Sequence, residues 1–127
     1  MKREVISTDK APAAVGPYSQ AVRVGDFVFA AGQVAIDPVA GKLIEGDVAA
    51  QTRQVLTNLS TVLEAAGSSL DRVVKTTVFL VNMDQFKVMN AVYGEFFSSD
   101  PPARSTIEVA ALPLGALVEI EAIAVTR

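Results

Sequence analysis

The sequence predicts an α+β fold in which a single mixed β-sheet carries two helices on one face. Two amphipathic helical patterns flank a long apolar run rich in β-branched residues, and further β-rich runs precede and follow them. The predicted order is β-β-β-α-β-α-β-β, and we expect residues 1–127 to form one domain. With both helices on one side, the second face of the sheet needs cover, which predicts self-association.

The elements before the first helix are short. Residues 9–20, with two prolines and a glycine, are predicted as a loop. The dipeptide Gly25-Asp26 suits a hairpin turn, and Gly32 is expected to end the strand that follows it. A further turn is marked by glycine and proline around residues 37–42. Three runs are predicted as strands: residues 2–7, 21–24 and 27–31.

The first helix is predicted to span about twenty residues. Asp47 is a suitable N-cap, because its carboxylate can accept a hydrogen bond from the first helical turn. Gly67 is a suitable stop, because glycine adopts the left-handed conformation that ends many helices. The predicted buried stripe consists of Val55, Leu56, Leu59, Val62, Leu63 and Ala66.

The second half of the chain predicts strand, helix and two strands. Residues 72–82 fit a strand that is apolar on both faces toward its end, as in the centre of a sheet. Asp84 is predicted to cap the second helix. The last strands are expected near residues 105–110 and 117–126, with a turn at Pro113 and Gly115 between them. The second helix is expected to bury Phe86, Met89, Tyr93, Phe96 and Phe97.

The composition restricts the chemistry. The chain contains neither cysteine nor histidine, so it lacks a thiolate nucleophile, the usual general base and the commonest metal ligands. Proton transfer must fall to Asp, Glu, Tyr, Lys or water. We therefore expect neither a metal site nor a cofactor.

Charge and hydropathy argue against two classes of partner. The net charge is −3 and the 11 basic residues are scattered, whereas nucleic-acid binding needs a basic patch. The apolar runs are too short to span a bilayer, and no signal peptide pattern opens the sequence. We expect no nucleic acid and no membrane as partners, and a cytoplasmic location.

The segment 101–109 is the strongest sequence signal for a binding site. Two prolines impose an extended path, and Arg104 then opens an apolar-alternating run. A guanidinium in such surroundings needs a carboxylate. That carboxylate is either part of a small ligand, which a bidentate arginine suits well, or an internal partner. The candidate internal partners are Glu108, Glu119 and Glu121.

Glu119 and Glu121 share one face of the last strand by period-two alternation. Paired carboxylates can perform acid–base chemistry if burial raises one pKa, or they form an ordinary solvated sheet face. Gly32 either lets backbone approach a ligand or only makes a bend. Tyr18 either lines a pocket or packs at a subunit contact.

Five segments in order give the chain a family resemblance. Together they resemble the reactive intermediate deaminase family (Rid, also called YjgF), in particular its RidA branch, over essentially the whole chain. The matching segments are Ala11-Pro12-Ala13-Ala14-Val15-Gly16-Pro17-Tyr18-Ser19-Gln20-Ala21, Ala31-Gly32-Gln33-Val34, Val74-Lys75-Thr76-Thr77-Val78-Phe79-Leu80, Pro102-Ala103-Arg104-Ser105 and Val118-Glu119-Ile120-Glu121-Ala122-Ile123-Ala124.

The resemblance implies a fold like that of the small trimeric chorismate mutases. It implies a homotrimer with a cleft between each pair of subunits. The implied activity is hydrolysis of 2-imino acids, such as 2-iminopropanoate and 2-iminobutanoate, to 2-keto acids and ammonia. These intermediates arise from pyridoxal-phosphate enzymes, and their removal supports isoleucine biosynthesis and limits metabolite damage.

By position, the resemblance also implies roles for individual residues. Arg104 would grip the substrate carboxylate, and Glu119 would hold and activate the attacking water. The remaining positions implied to contact substrate are Tyr18, Ala31, Gly32, Asn90 and Thr106, with Gly32 and Thr106 acting through their backbone. Ala31 stands where many relatives carry serine, and Thr106 where several carry cysteine.

Two other functions remain open at this stage. The first is a regulatory module whose cleft binds a small carboxylate or keto acid without catalysis. The second is a ribonuclease, as proposed for relatives, against which the negative charge and the absence of histidine weigh.

Overall fold

The computed structural model describes all 127 residues and confirms the predicted α+β class. Helix α1 spans Val48–Ala65 and helix α2 spans Phe86–Phe96. The strands are β1 (Arg3–Ile6), β2 (Ala21–Val24), β3 (Phe27–Gln33), β4 (Ile36–Asp37), β5 (Lys42–Leu43), β6 (Val73–Leu80), β7 (Ala103–Glu108) and β8 (Val118–Val125).

Six strands form the main sheet, in the order β1-β2-β3-β8-β6-β7. Only β6 and β7 are parallel, and α2 provides the crossover between them. The last strand, β8, therefore lies in the middle of the sheet, between β3 and β6. Strands β4 and β5 form a separate two-stranded ribbon around the predicted turn at 37–42. The turn was predicted, but these two short strands were not.

The prediction that the third strand ends at Gly32 is wrong. The strand continues to Gln33 through a bulge, because its register with β8 passes from Ala30 opposite Ala122 to Gln33 opposite Ile120. Ala31 and Gly32 together lie opposite Glu121 alone, so β3 contains one extra residue at this bulge. The hairpin turn at Gly25-Asp26 is present as predicted, and Gly25 has a φ of 59°.

Helix α1 matches its prediction closely. The Asp47 carboxylate accepts a hydrogen bond from the Ala50 amide at 3.0 Å, and Gly67 follows the helix with a φ of 82°. Every residue of the predicted stripe is buried. The burial of that stripe, rather than helix propensity, holds α1 against the sheet.

The start of α2 differs from its prediction. Asp84 does not cap the helix: it lies in a 3₁₀ turn, and the Asn82 side chain accepts a hydrogen bond from the Asp84 amide at 2.9 Å. Helix α2 then begins at Phe86 without a side-chain cap. The predicted stripe is buried at Met89, Tyr93 and Phe97, but only partly at Phe86 and Phe96, while Val92 is buried in addition.

Both helices pack on one face of the sheet, and the opposite face is open. The 23-residue core lies between α1, α2 and the inward side chains of the strands. On the open face, large apolar side chains remain about half exposed, which agrees with the expectation that this face needs cover. These side chains are Val5, Phe27, Phe29 and Ile107.

Buried amide side chains fix the loops at one end of the sheet. Asn58 of α1 donates to the Ile36 carbonyl at 2.8 Å and to the Val34 carbonyl at 3.3 Å. Gln51, also on α1, accepts a hydrogen bond from the Leu117 amide at 2.9 Å. The helix thereby fixes the segments that follow β3 and precede β8.

Neither helix combines the length and the apolar character that crossing a membrane requires.

We expect Asn58→Ala to lower the free energy of unfolding by about 1–3 kcal/mol, because the Ile36 carbonyl loses its Asn58 donor and the Val34 carbonyl keeps only the Ile36 amide. Thr57→Ala is the matched control: Thr57 is exposed on the same helix and bonds only to the Arg53 carbonyl one turn earlier. Urea unfolding of both variants measures the difference. Equal stability of the two variants would show that Asn58 does not hold the loop.

Candidate functional site

The structure has two separate clefts that contain the predicted site residues. The first cleft, here called the Glu119 cleft, has a volume of about 310 Å³. It lies at the end of the sheet where the β3 bulge meets β8. Its lining residues are Val15, Tyr18, Ala31, Gly32, Val34, Ile36, Pro113, Leu114 and Glu119.

Glu119 is the only ionisable carboxyl group in this cleft. It lies on the open face of the sheet, because it alternates along β8 with the buried residues Val118 and Ile120. Burial raises the pKa of Glu119 above its ordinary value, and the nearby charge of Glu121 raises it further. A carboxyl group with a raised pKa is better suited to accept and return a proton near neutral pH.

Gly32 allows the Glu119 side chain to lie against the β3 backbone. A Cβ atom at this position would overlap Glu119 Oε2 and would lie 2.9 Å from the carboxyl carbon. The bulge therefore needs glycine for a close approach. The structure shows a close approach at Gly32, but the approaching group is a protein carboxylate, and contact of this backbone with a ligand stays a prediction.

Tyr18 reaches the cleft from a loop that a buried glutamine holds. Gln20 accepts a hydrogen bond from the Thr8 amide at 2.7 Å and donates to the Pro12 carbonyl at 2.8 Å. The backbone carbonyl of Gln20 accepts a hydrogen bond from the Ala31 amide at 2.9 Å. The Tyr18 hydroxyl accepts from the Val15 amide at 3.2 Å. Sequence analysis did not identify Gln20, although a lone glutamine in a proline-rich loop was the available signal.

The second cleft, here called the Arg104 cleft, lies on the other side of the molecule between α2 and the start of β7. Its volume is about 480 Å³. As predicted, the two prolines lead the chain in an extended path to Arg104. The lining residues are Asn90, Tyr93, Gly94, Phe97, Pro101, Pro102 and Arg104.

Aromatic rings of α2 support the Arg104 guanidinium. Its central carbon lies 4.7 Å from the centre of the Tyr93 ring and 5.6 Å from that of Phe86. The Tyr93 hydroxyl is 2.7 Å from the Thr76 hydroxyl, a buried hydrogen bond that fixes the ring. Burial raises the pKa of Tyr93, so this hydroxyl is neutral at neutral pH. These residues were predicted only as core, and their second role follows from the register of β7 with β6.

Arg104 has no carboxylate partner within the chain. The single ion pair of the structure joins Arg53 and Glu95, on the surface of the two helices. The internal salt bridge to Glu108, Glu119 or Glu121 is therefore wrong. Nearby, the buried Asn90 Oδ1 accepts no hydrogen bond. The Arg104 guanidinium therefore lacks an anion, and Asn90 Oδ1 lacks a donor, in the same cleft. This combination indicates that a ligand or another chain supplies the missing partners.

The two clefts lie on opposite faces of the sheet. Arg104 pairs with Thr76, which is fully buried beneath α2, whereas Glu119 pairs with Phe79 on the open face. Thr106, half-buried two residues after Arg104, lies on the same face as Arg104. Two strand spacings and three residues separate Arg104 from Glu119, so their backbone positions are about 14 Å apart.

The predicted site residues thus form two groups within one chain. Tyr18, Ala31, Gly32 and Glu119 line the first cleft, and Asn90 and Arg104 line the second. Thr106 lines neither cleft. The apolar residues Val15 and Leu114 of the first cleft were not predicted. No group of three or more acidic side chains with the geometry of a metal site occurs.

Comparison with known proteins assigns the chain to a family. The family model described as Endoribonuclease L-PSP matches residues 8–126. This chain belongs to the Rid/YjgF family. The match covers both clefts, so the whole of the proposed site lies within the family domain.

Individual relatives are similar over nearly their full length. The chain is 53% identical to a RutC family protein of Pyrococcus horikoshii over 122 residues, which are 96% of this chain and 97% of the relative. It is 52% identical to the 2-iminobutanoate/2-iminopropanoate deaminase of Mus musculus, over 97% of this chain and 91% of that protein. The crystal structure of E. coli TdcF with bound serine is 41% identical, with a TM-score of 0.92, and covers 98% of this chain and 99% of that one.

We expect Gly32→Ala to displace the Glu119 carboxyl group and to cost at most about 1 kcal/mol of stability, because the atoms that must move are the end of a flexible, half-buried side chain. The double variant Gly32→Ala/Glu119→Ala should lose much less relative to Glu119→Ala alone, since the overlapping atoms are gone. Denaturant unfolding of the four proteins measures this coupling. Equal costs in both backgrounds would contradict the contact.

We expect the raised pKa of Glu119 to make stability fall as pH rises. The folded state holds this proton more tightly than the unfolded state, so stability decreases from the unfolded pKa of about 4.3 up to the folded value. Glu119→Gln should make the melting temperature less dependent on pH across this window. Glu121→Gln should shift the window downward without removing it. A profile that Glu119→Gln leaves unchanged would contradict the assignment.

Proposed function

We propose that this protein is a 2-iminobutanoate/2-iminopropanoate deaminase, which hydrolyses reactive enamine and imine intermediates to 2-keto acids and ammonia. The observation that carries the proposal is the division of the site: an unpaired arginine in one cleft and a carboxyl group with a raised pKa in the other. Family membership and the named activity of the mouse relative support it. The expected setting is cytoplasmic, next to pyridoxal-phosphate enzymes and isoleucine biosynthesis.

Arg104 is the proposed carboxylate-binding residue. Its guanidinium, supported by the Tyr93 and Phe86 rings, presents two parallel N–H donors to the two oxygens of a carboxylate. The free Asn90 Oδ1 lines the same cleft and is available for a further polar atom of the substrate, and the family resemblance adds a contact to the Thr106 backbone. The substrate is thereby fixed before the chemical step, which converts the attack of water into an oriented reaction.

Glu119 is the proposed acid–base residue. As water adds to C2 of the protonated imine, the carboxylate takes one proton from the water. The same group then gives that proton to the nitrogen of the tetrahedral intermediate and becomes a carboxylate again. As the C–N bond breaks, ammonia leaves with the electron pair, the carbonyl of the keto acid forms, and the hydroxyl proton passes back to this carboxylate. One carboxyl group thus serves both steps, and its raised pKa suits this exchange near neutral pH.

The proposed site combines two chains. In a 2-imino acid the carboxylate is bonded directly to the reacting carbon, so the Arg104 guanidinium and the Glu119 carboxyl group must face the same small cavity. A separation of about 14 Å and opposite sheet faces prevent this within one chain. A homotrimer with clefts between subunits, in which one chain provides Arg104 and its neighbour provides Glu119, resolves the difficulty. The half-exposed apolar open face supports such an assembly.

The second candidate is a module that binds a small carboxylate without catalysis. The TdcF structure with bound serine favours considering it, since that relative holds an amino acid. Both candidates need Arg104, but only the enzyme needs the proton transfer at Glu119. The comparison of binding with turnover in Glu119→Gln therefore separates them.

The wild-type protein should suppress semicarbazone formation when an amino-acid oxidase or threonine dehydratase generates the imino acid in the presence of semicarbazide. We expect Arg104→Ala to lose about 10²-fold or more of this activity, and Glu119→Gln a comparable factor. Arg53→Ala is the matched control, an arginine whose partner is a surface glutamate. If the wild-type protein does not reduce semicarbazone formation from any imino acid, the deaminase proposal is wrong and the non-catalytic binding module is the remaining candidate.

Mixing the two inactive variants tests the shared site. If Arg104→Ala and Glu119→Gln chains are refolded together, clefts with both native residues form at random, and about a quarter of the wild-type activity should return. A site within one chain would give no recovery.

A further inference from the structure

Leu114 has two properties that rarely occur together. It is a large apolar residue with 64% of its surface exposed, and its backbone is in the left-handed region, with φ 61° and ψ 16°. Leucine seldom adopts this conformation, because its Cβ lies too close to the following carbonyl oxygen. Strained residues persist only where their surroundings hold them, and they cluster at ligand sites.

The surroundings of Leu114 hold its loop firmly. Pro113 restricts the backbone immediately before it, and the Ala116 amide donates to the Pro113 carbonyl at 3.0 Å. Ala116 itself is buried, and the next amide, of Leu117, bonds to Gln51 of α1. The strained conformation is therefore built into the connection between β7 and β8.

This loop presents Leu114 to the Glu119 cleft. With Val15, which is 74% exposed, and the side chains of Val34 and Ile36, it makes the cleft beside the Glu119 carboxyl group predominantly apolar. Glu119 is the only charged group among the lining residues. An apolar surface of this kind next to the reacting group suits the side chain of a substrate, and gains free energy with each methylene that it covers.

We propose that Leu114 is a specificity-determining residue that selects 2-imino acids with longer aliphatic side chains over the smallest ones. The proposal rests on the proposed function, since it assigns the part of the same site that faces the substrate side chain. An aliphatic side chain such as Leu114 offers neither a donor for the substrate carboxylate nor a base for the attacking water. Its substitution should therefore act chiefly on the choice among substrates.

The test uses a ladder of substrates that differ by methylene groups. An amino-acid oxidase generates imino acids from alanine, 2-aminobutanoate, norvaline and leucine, and semicarbazide competition gives relative kcat/KM values. For the wild-type protein we expect kcat/KM to rise along the ladder, by at most about fourfold per methylene.

Three Leu114 variants and one control show whether Leu114 causes the rise of kcat/KM with chain length. Leu114→Ala should flatten the rise, with a loss of kcat/KM that grows with each added methylene group. Leu114→Asn, a residue that tolerates the left-handed region, should flatten it without loss of melting temperature. Leu114→Met should keep it. Val39→Ala, which removes an exposed apolar side chain in the β4–β5 turn, should change nothing.

The outcomes separate the two proposals. If the wild-type protein is active and kcat/KM rises equally with chain length in Leu114→Ala and Leu114→Asn, the proposed role of Leu114 is wrong and the deaminase function is unaffected. An equal loss on every substrate, or a change of oligomeric state in both variants, assigns Leu114 to structure and also overturns it. A wild-type protein inactive on the whole ladder overturns the proposed function and this inference together.

Discussion

Period-two alternation along the central strands determines where chemistry can occur in this chain. Strand β8 directs Val118, Ile120 and Ala122 into the core and leaves Glu119 on the open face. The parallel pairing of β6 with β7 sends Arg104 to the opposite, helix-covered side. The two charged groups of the proposed site are thus separated by the sheet itself. No loop movement within one chain can bring them together, because a shift of one residue would turn the whole core face outward.

Buried amides give the Glu119 cleft its rigidity. Gln20, Gln51 and Asn58 each hold backbone groups of a segment that lines the cleft or adjoins it. Loops fixed in this way lose little additional entropy when a ligand binds. Each amide also removes an unpaired buried polar group, so the positions that stabilise the fold are the same ones that preorganise the cleft. A cleft of this kind can present a strained residue such as Leu114 without losing its shape.

The elements that the sequence predicted well are those in which a single local pattern decides. The stripe of α1, the Asp47 cap and the alternation of β8 each follow from the period of the element. Asp84 misled because Asn82, two residues earlier, takes the capping role: its side chain accepts from the Asp84 amide, which places Asp84 inside a 3₁₀ turn. The bulge at Gly32 was missed because it appears only in the pairing of β3 with β8, a strand distant in sequence. The separation of Arg104 from Glu119 was also beyond prediction, since it requires the strand order, which no local pattern contains.

The open face and the divided site have the same physical origin. A sheet with both helices on one side leaves Val5, Phe29 and Ile107 in water, and a further protein surface on that face would remove this apolar area from solvent. The Glu119 cleft opens at the edge of the same face, at the β3 bulge. If copies of the chain cover the face, the burial that stabilises the assembly also brings a neighbour to this cleft. Catalysis and association would then be selected together, because a chain that weakens its open face also loses the second half of its site.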